Sequence, residues 1–232
     1  MLLYIVRHGD PDYTTDSLTP RGIEQADAVA RRLAAIGFDR IFSSPMGRAR
    51  QTAEPLCRLL DKEYQVEEWT REIAVRTQVP DGEPKSVALV QNTYFREKDM
   101  WKLGGAEALE CAVLKDTDMA QCKAYIEKEG NAFLEKLGYK EENGNYRILY
   151  PNEEKVVLFC HGNFSRVWLS CLLKVPLHIM LASFGSNHTG VTTLYFKNND
   201  NGLTAPRCLC FSDNSHLYAH GPDTLYNGKF VI

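Results

Sequence analysis

The sequence predicts an α/β protein with a mostly parallel central sheet, and three observations carry that reading. "LLYIV" at residues 2–6, "FDRIFSSP" and "KVVLFC" at 155–160 are short apolar runs bounded by turn formers, the pattern of strands covered on both faces. Helical periodicity follows each of the first two, so the N-terminal order is β-α-β-α. The chain has 232 residues, 44% of them hydrophobic and 25% charged, enough for one large core in a single domain.

Taken in order, residues 2–6 form the first strand and residues 19–36 the first helix. Thr19 suits the N-cap and Pro20 the first helical position, while Ile23, Ala26, Val29, Ala30 and Leu33 recur at helical spacing until Gly37 ends the segment. After the second strand, a helix over Met46 to Leu60 shows Ala49, Ala53, Leu56 and Leu60 on one face. "QVEEW" reads as an edge strand. Residues 83–103 read as an inserted segment whose Tyr94, Phe95 and Trp101 either pack a small core, the commoner use of such rings, or grip an apolar group of a ligand. Residues 106–137 read as helical with a break near Gly130. "KVVLFC" is the clearest central strand of the second half, followed by a helix from Ser165 to Leu173. "GVTTLYF" and "PRCLCFS" alternate like the arms of an antiparallel hairpin across "KNNDNG". Their free edge can pair with a second copy to make a dimer, a pairing that nothing in the sequence requires.

A formal charge of −3 offers no general attraction to nucleic acid or to an anionic membrane, so any anion site must be local. The seven cysteines are odd in number, scattered and without a CxxC pair, which reads as reduced thiols in a cytoplasmic protein. The N-terminal apolar run is too short for a signal peptide, and Val167 to Phe184 is broken by Lys174, Pro176 and His178, so no membrane span is expected.

In an open α/β sheet, ligands bind at the carboxyl ends of the strands. Arg7-His8-Gly9 falls at one such end, Ser43-Ser44-Pro45 with Arg48 at a second, and His161-Gly162-Asn163 at a third. Each arginine read alone fits a structural ion pair. Two guanidinium forks converging with two histidines instead fit a phosphate, whose oxygens match their geometry. His8 read alone is a structural residue, a metal ligand or a nucleophile. Asp10 and Asp12 are the available carboxylate ligands, yet a metal would be repelled by the cations gathered there. Those cations keep His8 neutral, with a lone pair for attack.

Four motifs in order, "RHG", "LTPRG", "SSPMGRARQTA" and "FCHGNFSR", resemble the histidine phosphatase superfamily, also called phosphoglycerate mutase-like, over most of the chain. The resemblance implies a three-layer α/β/α sandwich as one domain over 1–232, with an inserted helical segment over about 75–150 partly covering the active site. It implies that His8 is the nucleophile that becomes phosphorylated, that Arg7, Arg48 and His161 line the phosphate pocket, and that Gly162 and Asn163 stand on the substrate-binding side. "WTREI" resembles the family's proton-donor segment and puts that role on Glu72, with Glu67 and Glu68 as competitors. No metal and no cofactor is implied. The substrate is then a small phosphorylated metabolite, not nucleic acid and not a membrane.

Two activities of that family fit. One is a metal-independent phosphomonoesterase working through a phosphohistidine; the other is phosphoglycerate mutase-type transfer. Mutases follow "RHG" with an "E-S-x-W-N" type signature, whereas this chain reads "RHGDPDYTTDS", a departure that favours the phosphatase. A non-catalytic phosphate-binding module would lack one of the two histidines, and both are present. Asp10 and Asn163 either touch substrate or shape turns. Ser44 and Thr19 fit helix caps, and His188 and His216 fit buried, hydrogen-bonded structural histidines.

Overall fold

The computed structural model describes residues 1–78, 83–87, 90, 93–94 and 97–220. The first half contains β1 (Leu2–Arg7), α1 (Pro20–Ala34), β2 (Arg40–Ser43), α2 (Gly47–Leu60) and β3 (Gln65–Val66). The second half contains α3 (Met119–Lys136), β4 (Tyr139–Glu142), β5 (Asn145–Ile148), β6 (Lys155–Cys160) and α4 (Gly162–Leu173). It closes with α5 (Leu177–Ser183), β7 (Val191–Tyr195), β8 (Leu203–Thr204) and β9 (Arg207–Asp213).

Six strands form the central sheet in the order β9-β7-β1-β6-β2-β3. Those from β1 to β3 are parallel, and β7 runs antiparallel to both β1 and β9. The pleat sends alternate residues of β1 to opposite faces. Tyr4 and Val6 pack with Val29 and Leu33 of α1 and Ala53 and Leu56 of α2, while Leu3 and Ile5 join Phe133 of α3 and Trp168 of α4 on the other side. The chain is thus an α/β protein with helices on both faces of a mostly parallel sheet. A one-residue slip of β1 would exchange its two buried faces, so core packing also fixes where the strand ends.

Register then sets the site. Arg7 pairs with Cys160, Phe159 with Ser43, and Ser43 with Val66, so four parallel strands end level and release their next residues at one edge.

Several expectations are corrected. Ile23 is 54% exposed, because the first turn of α1 buries Gly22 against the Asp10 backbone and leaves Ile23 on the outer side. No break occurs at Gly130: α3 runs through it, and a Cβ there would lie 2.4 Å from the indole Nε1 of Trp168, so this glycine serves close packing. Upstream of α3, Gly105–Glu110 is a 3-10 turn and not part of one long helix. The segment over 75–150 is also not wholly helical, since β4 and β5 form a hairpin that pairs with β8 in a second sheet. That pairing draws the "KNNDNG" connection away from a tight turn, although β7 and β9 do pair antiparallel. Helix α4 starts at Gly162, three residues before the expected Ser165. Tyr94 packs partly buried against the core, Trp101 is 54% exposed beneath the Lys102 ammonium, and Phe95 lies outside the described residues. The seven cysteines are free, and no helix among the described residues is long and apolar enough to cross a membrane.

Candidate active site

The site is built where β1, β2, β3 and β6 end. His8 is 1% exposed, its backbone N–H donating to Cys160 O at 2.9 Å. Its Nδ1 lies 2.7 Å from Gly9 O. A carbonyl can only accept, so Nδ1 carries the hydrogen and Nε2 of the neutral ring carries the lone pair. Burial first, and then the charge of Arg7, hold this imidazole well below its usual pKa. A buried neutral imidazole with an available lone pair has the form of a nucleophile.

His161 follows β6 and takes the N-cap position of α4, its side chain making no capping hydrogen bond. It is fully buried, its ring centroid lies 5.1 Å from that of His8, and its Nε2 meets Ser44 Oγ at 2.7 Å. Burial, followed by Arg48 and Arg7, pushes its pKa well down as well.

Arg7 and Arg48 supply the fixed positive charge. Arg7 Nη1 donates to Ser186 O, and the guanidinium lies against Gly162, where a Cβ would come within 3.1 Å of Arg7 Nε. Burial pulls this guanidinium below its usual pKa, and Tyr13 and Glu72 oppose the shift. Arg48, 4% exposed, pairs with Asp16 and sits over the Tyr13 ring at 5.4 Å. Arg7 Nε, Arg48 Nε and His161 Nδ1 are all buried without a hydrogen-bond partner. Three such groups in one cluster are costly unless an acceptor satisfies them, and an anion is the acceptor their charge selects.

The carboxylates occupy the helix ends. Asp16 Oδ2 accepts from Gly47 N–H at 2.8 Å at the start of α2. Glu72 Oε1 accepts from Ile73 and Phe164 N–H, both at 2.9 Å, and its Oε2 accepts from Asn163 N–H at 3.3 Å, at the start of α4. Carboxylate side chains thus accept from the N–H groups of Gly47 at the start of α2 and of Asn163 and Phe164 at the start of α4. Among the acidic residues after β3, Glu72 alone reaches the His161 helix. Glu68 is exposed beside Arg71, and Glu67 accepts from the Trp69 indole.

Asn163 turns its side chain away from the cluster, with Nδ2 on Ile73 O and Oδ1 accepting from Arg166. Arg166 itself, buried and lowered to about 10 chiefly by desolvation, spends its other donors on Gly162 O and Leu181 O. Thr19 caps α1 as expected. Ser44 does not take the expected cap position of α2, which Met46 holds without a side-chain hydrogen bond, and bonds His161 instead. His216 holds Thr189 and faces Arg32, away from the nucleophile. His188 pairs with Asp10, and its ring lies 5.6 Å from that of His8. Gly9 is required by close approach to α1, where a Cβ would sit 2.6 Å from Gly22 O. Asp16, Ser44 and His188 reach the cluster through loop geometry, which no residue spacing reports.

Residues 3–102 match the model of the histidine phosphatase superfamily (branch 1). The protein named probable phosphoglycerate mutase GpmB of Proteus mirabilis is 27% identical over 191 residues, 75% of this chain and 74% of its own length. A phosphoserine phosphatase from Entamoeba histolytica, solved with 3-phosphoglyceric acid, is 25% identical with a TM-score of 0.61, covering 93% of this chain and 98% of that one. A mycobacterial glucosyl-3-phosphoglycerate phosphatase shares the fold at 21% identity and a TM-score of 0.60, covering 91% and 98% of the two chains. Residues 3–102 thus match the histidine phosphatase superfamily, strand-end motifs included, and the chain shares the fold of these solved phosphatases over nearly its whole length.

Proposed function

We propose that the protein is a metal-independent phosphomonoesterase that hydrolyses a small phosphorylated metabolite through a phosphohistidine on His8. The observation that carries this reading is the neutral His8 ring, with its Nε2 lone pair, set among Arg7, Arg48 and His161 at one sheet edge. Nε2 attacks phosphorus in line, forming the N–P bond as the ester P–O bond breaks. Arg7 and Arg48 offset the charge spread over the equatorial oxygens, the task a metal performs in other phosphoryl-transfer sites. A phosphate dianion beside His161 favours its imidazolium, which adds a third donor. Glu72 in its acid form gives its proton to the leaving alcohol. It then takes one from the water that cleaves the N–P bond, which releases phosphate and restores His8.

The reading also puts the 75–150 segment, which the chain enters directly after Glu72, beside the pocket as a partial cover. The free thiols fit a reducing, cytoplasmic compartment. Transfer to a second hydroxyl is the alternative, favoured by the mutase name of the Proteus relative.

His8→Ala is expected to abolish hydrolysis of p-nitrophenyl phosphate with the fold intact by circular dichroism, while EDTA leaves the wild type unchanged. Activity retained in the variant, or lost with chelator, overturns the mechanism. Incubation with 3-phosphoglycerate followed by phosphorus NMR separates release of inorganic phosphate from isomerisation.

A further inference from the structure

We propose that His188, oriented by Asp10, is a third imidazole of the phosphoryl pocket and donates a hydrogen bond from Nε2 to a non-bridging phosphoryl oxygen. The inference rests on the phosphatase reading and deepens it by adding a substrate-contacting residue.

The loop carrying His188 is fastened to the nucleophile's own strand end at three points. Arg7 Nη1 donates to Ser186 O, Arg7 N–H to Gly190 O at 3.3 Å, and Thr189 N–H to His8 O at 3.3 Å. His188 therefore keeps its place relative to Arg7 and His8. Thr189 is held in the left-handed region at φ 53°, an uncommon conformation for a β-branched residue. Its hydroxyl bonds His188 O at 2.8 Å and His216 Nε2 at 3.0 Å, which sets the turn beside His8.

The ring is oriented from behind. Nδ1 of His188 lies 3.5 Å from Asp10 Oδ1, with the two side chains 14% and 20% exposed. Asp10 is itself fixed, because its Oδ2 accepts from Thr19 Oγ1 at 2.8 Å and its N–H donates to Gln25 Oε1 at 2.8 Å. A carboxylate beside one imidazole nitrogen aims the other away, and a phosphoryl anion facing that second nitrogen favours the doubly protonated ring, in which both nitrogens donate. Here that aims Nε2 away from Asp10 on a ring already 5.6 Å, centroid to centroid, from His8. The phosphoryl group attached to or leaving His8 is the anion within its reach.

The test uses the full chain, with p-nitrophenyl phosphate turnover, orthovanadate inhibition, inorganic phosphate affinity by calorimetry and thermal melting, on His188→Ala, His188→Gln and Asp10→Asn. A hydrogen bond to a charged group predicts a loss of about 10- to 100-fold in both kcat/KM and vanadate affinity for His188→Ala. Melting is expected to stay near wild type. His188→Gln, whose amide nitrogen reaches the Nε2 position, restores part of both, and Asp10→Asn shows a smaller loss in both. Wild-type turnover and vanadate affinity in His188→Ala overturn the proposal, as does a loss of activity that tracks a fallen melting temperature with vanadate affinity unchanged. If the wild type hydrolyses no monoester, the phosphatase reading fails, and phosphate affinity alone still decides whether His188 meets the anion.

Discussion

Two neutral histidines buried at the site make stability depend on pH in a calculable way. His8 and His161 are 1% and 0% exposed, and burial together with neighbouring cations holds both well below the ordinary imidazole pKa. The native state therefore resists protonating them as pH falls below the range where the unfolded chain, with histidine near pKa 6.5, takes up both protons. The unfolded state binds more protons as pH falls through about 6.5, so stability is full above that value and is lost below it. A pair held neutral down to pH 5.5 loses up to about 3 kcal/mol relative to pH 8, the limit set by the unfolded-state pKa. Urea unfolding followed by tryptophan fluorescence at the two pH values measures the wild-type loss, and a His8→Asn/His161→Asn double variant isolates the pair's share. His178, buried and lowered by desolvation, contributes to both proteins and cancels in the difference. If the double variant loses as much stability as the wild type between pH 8 and 5.5, the two site histidines are not held neutral, and the description of His8 as a ready nucleophile falls with them.

Two further outcomes test the packing and the acid. Gly130→Ala gains about 1 kcal/mol of helix propensity yet forces a methyl into Trp168, a ring hemmed in by Trp69, Phe133 and Phe164, so overpacking of up to about 3 kcal/mol wins. A net loss near 2 kcal/mol lowers the melting temperature by about 4–8 °C, and a rise would refute the packing account. Glu72→Gln keeps a carbonyl acceptor for Phe164 N–H but cannot transfer the proton. Its kcat/KM is expected to fall by about 100-fold or more on β-glycerophosphate and far less on p-nitrophenyl phosphate, whose leaving group needs no proton. Equal losses on the two esters would remove Glu72 from the proton-donor role.

Local signals in the chain carried much of this architecture. The Thr19-Pro20 start of α1, the continuous apolar strands and the residues that follow them are written in consecutive positions, and the structure places Arg7, His8, Arg48, Glu72 and His161 around one strand edge. What stayed hidden depends on partners distant in sequence. Gly130 reads as a helix breaker until Trp168 is packed against it. The β4-β5 hairpin has charged, short arms and becomes part of a sheet only through β8, some 55 residues away in the chain, so its own residues give no strand pattern to find.

The same distinction explains the division of labour inside the site. Of the residues proposed to meet phosphate, Arg7, His8 and His161 stand at strand ends, where sheet register positions them as a by-product of core packing, and Arg48 follows in the first turn of α2; a sequence motif suffices to find them. Residues that orient those groups come from loops whose shape is set by backbone hydrogen bonds. Ser44 meets His161 because "SSP" turns into α2, Asp16 meets Arg48 from a left-handed residue at φ 52°, and His188 meets Asp10 because Thr189 bonds the backbone of His8. Asp16 and Glu72 also occupy the starts of α2 and α4, positions where an anion would otherwise be drawn to a helix end. With both ends filled by carboxylates, the remaining positive field belongs to Arg7, Arg48 and the histidines around His8 Nε2. On the proposed reading, the loops thus steer a phosphate ester onto His8 and away from the neighbouring helix ends.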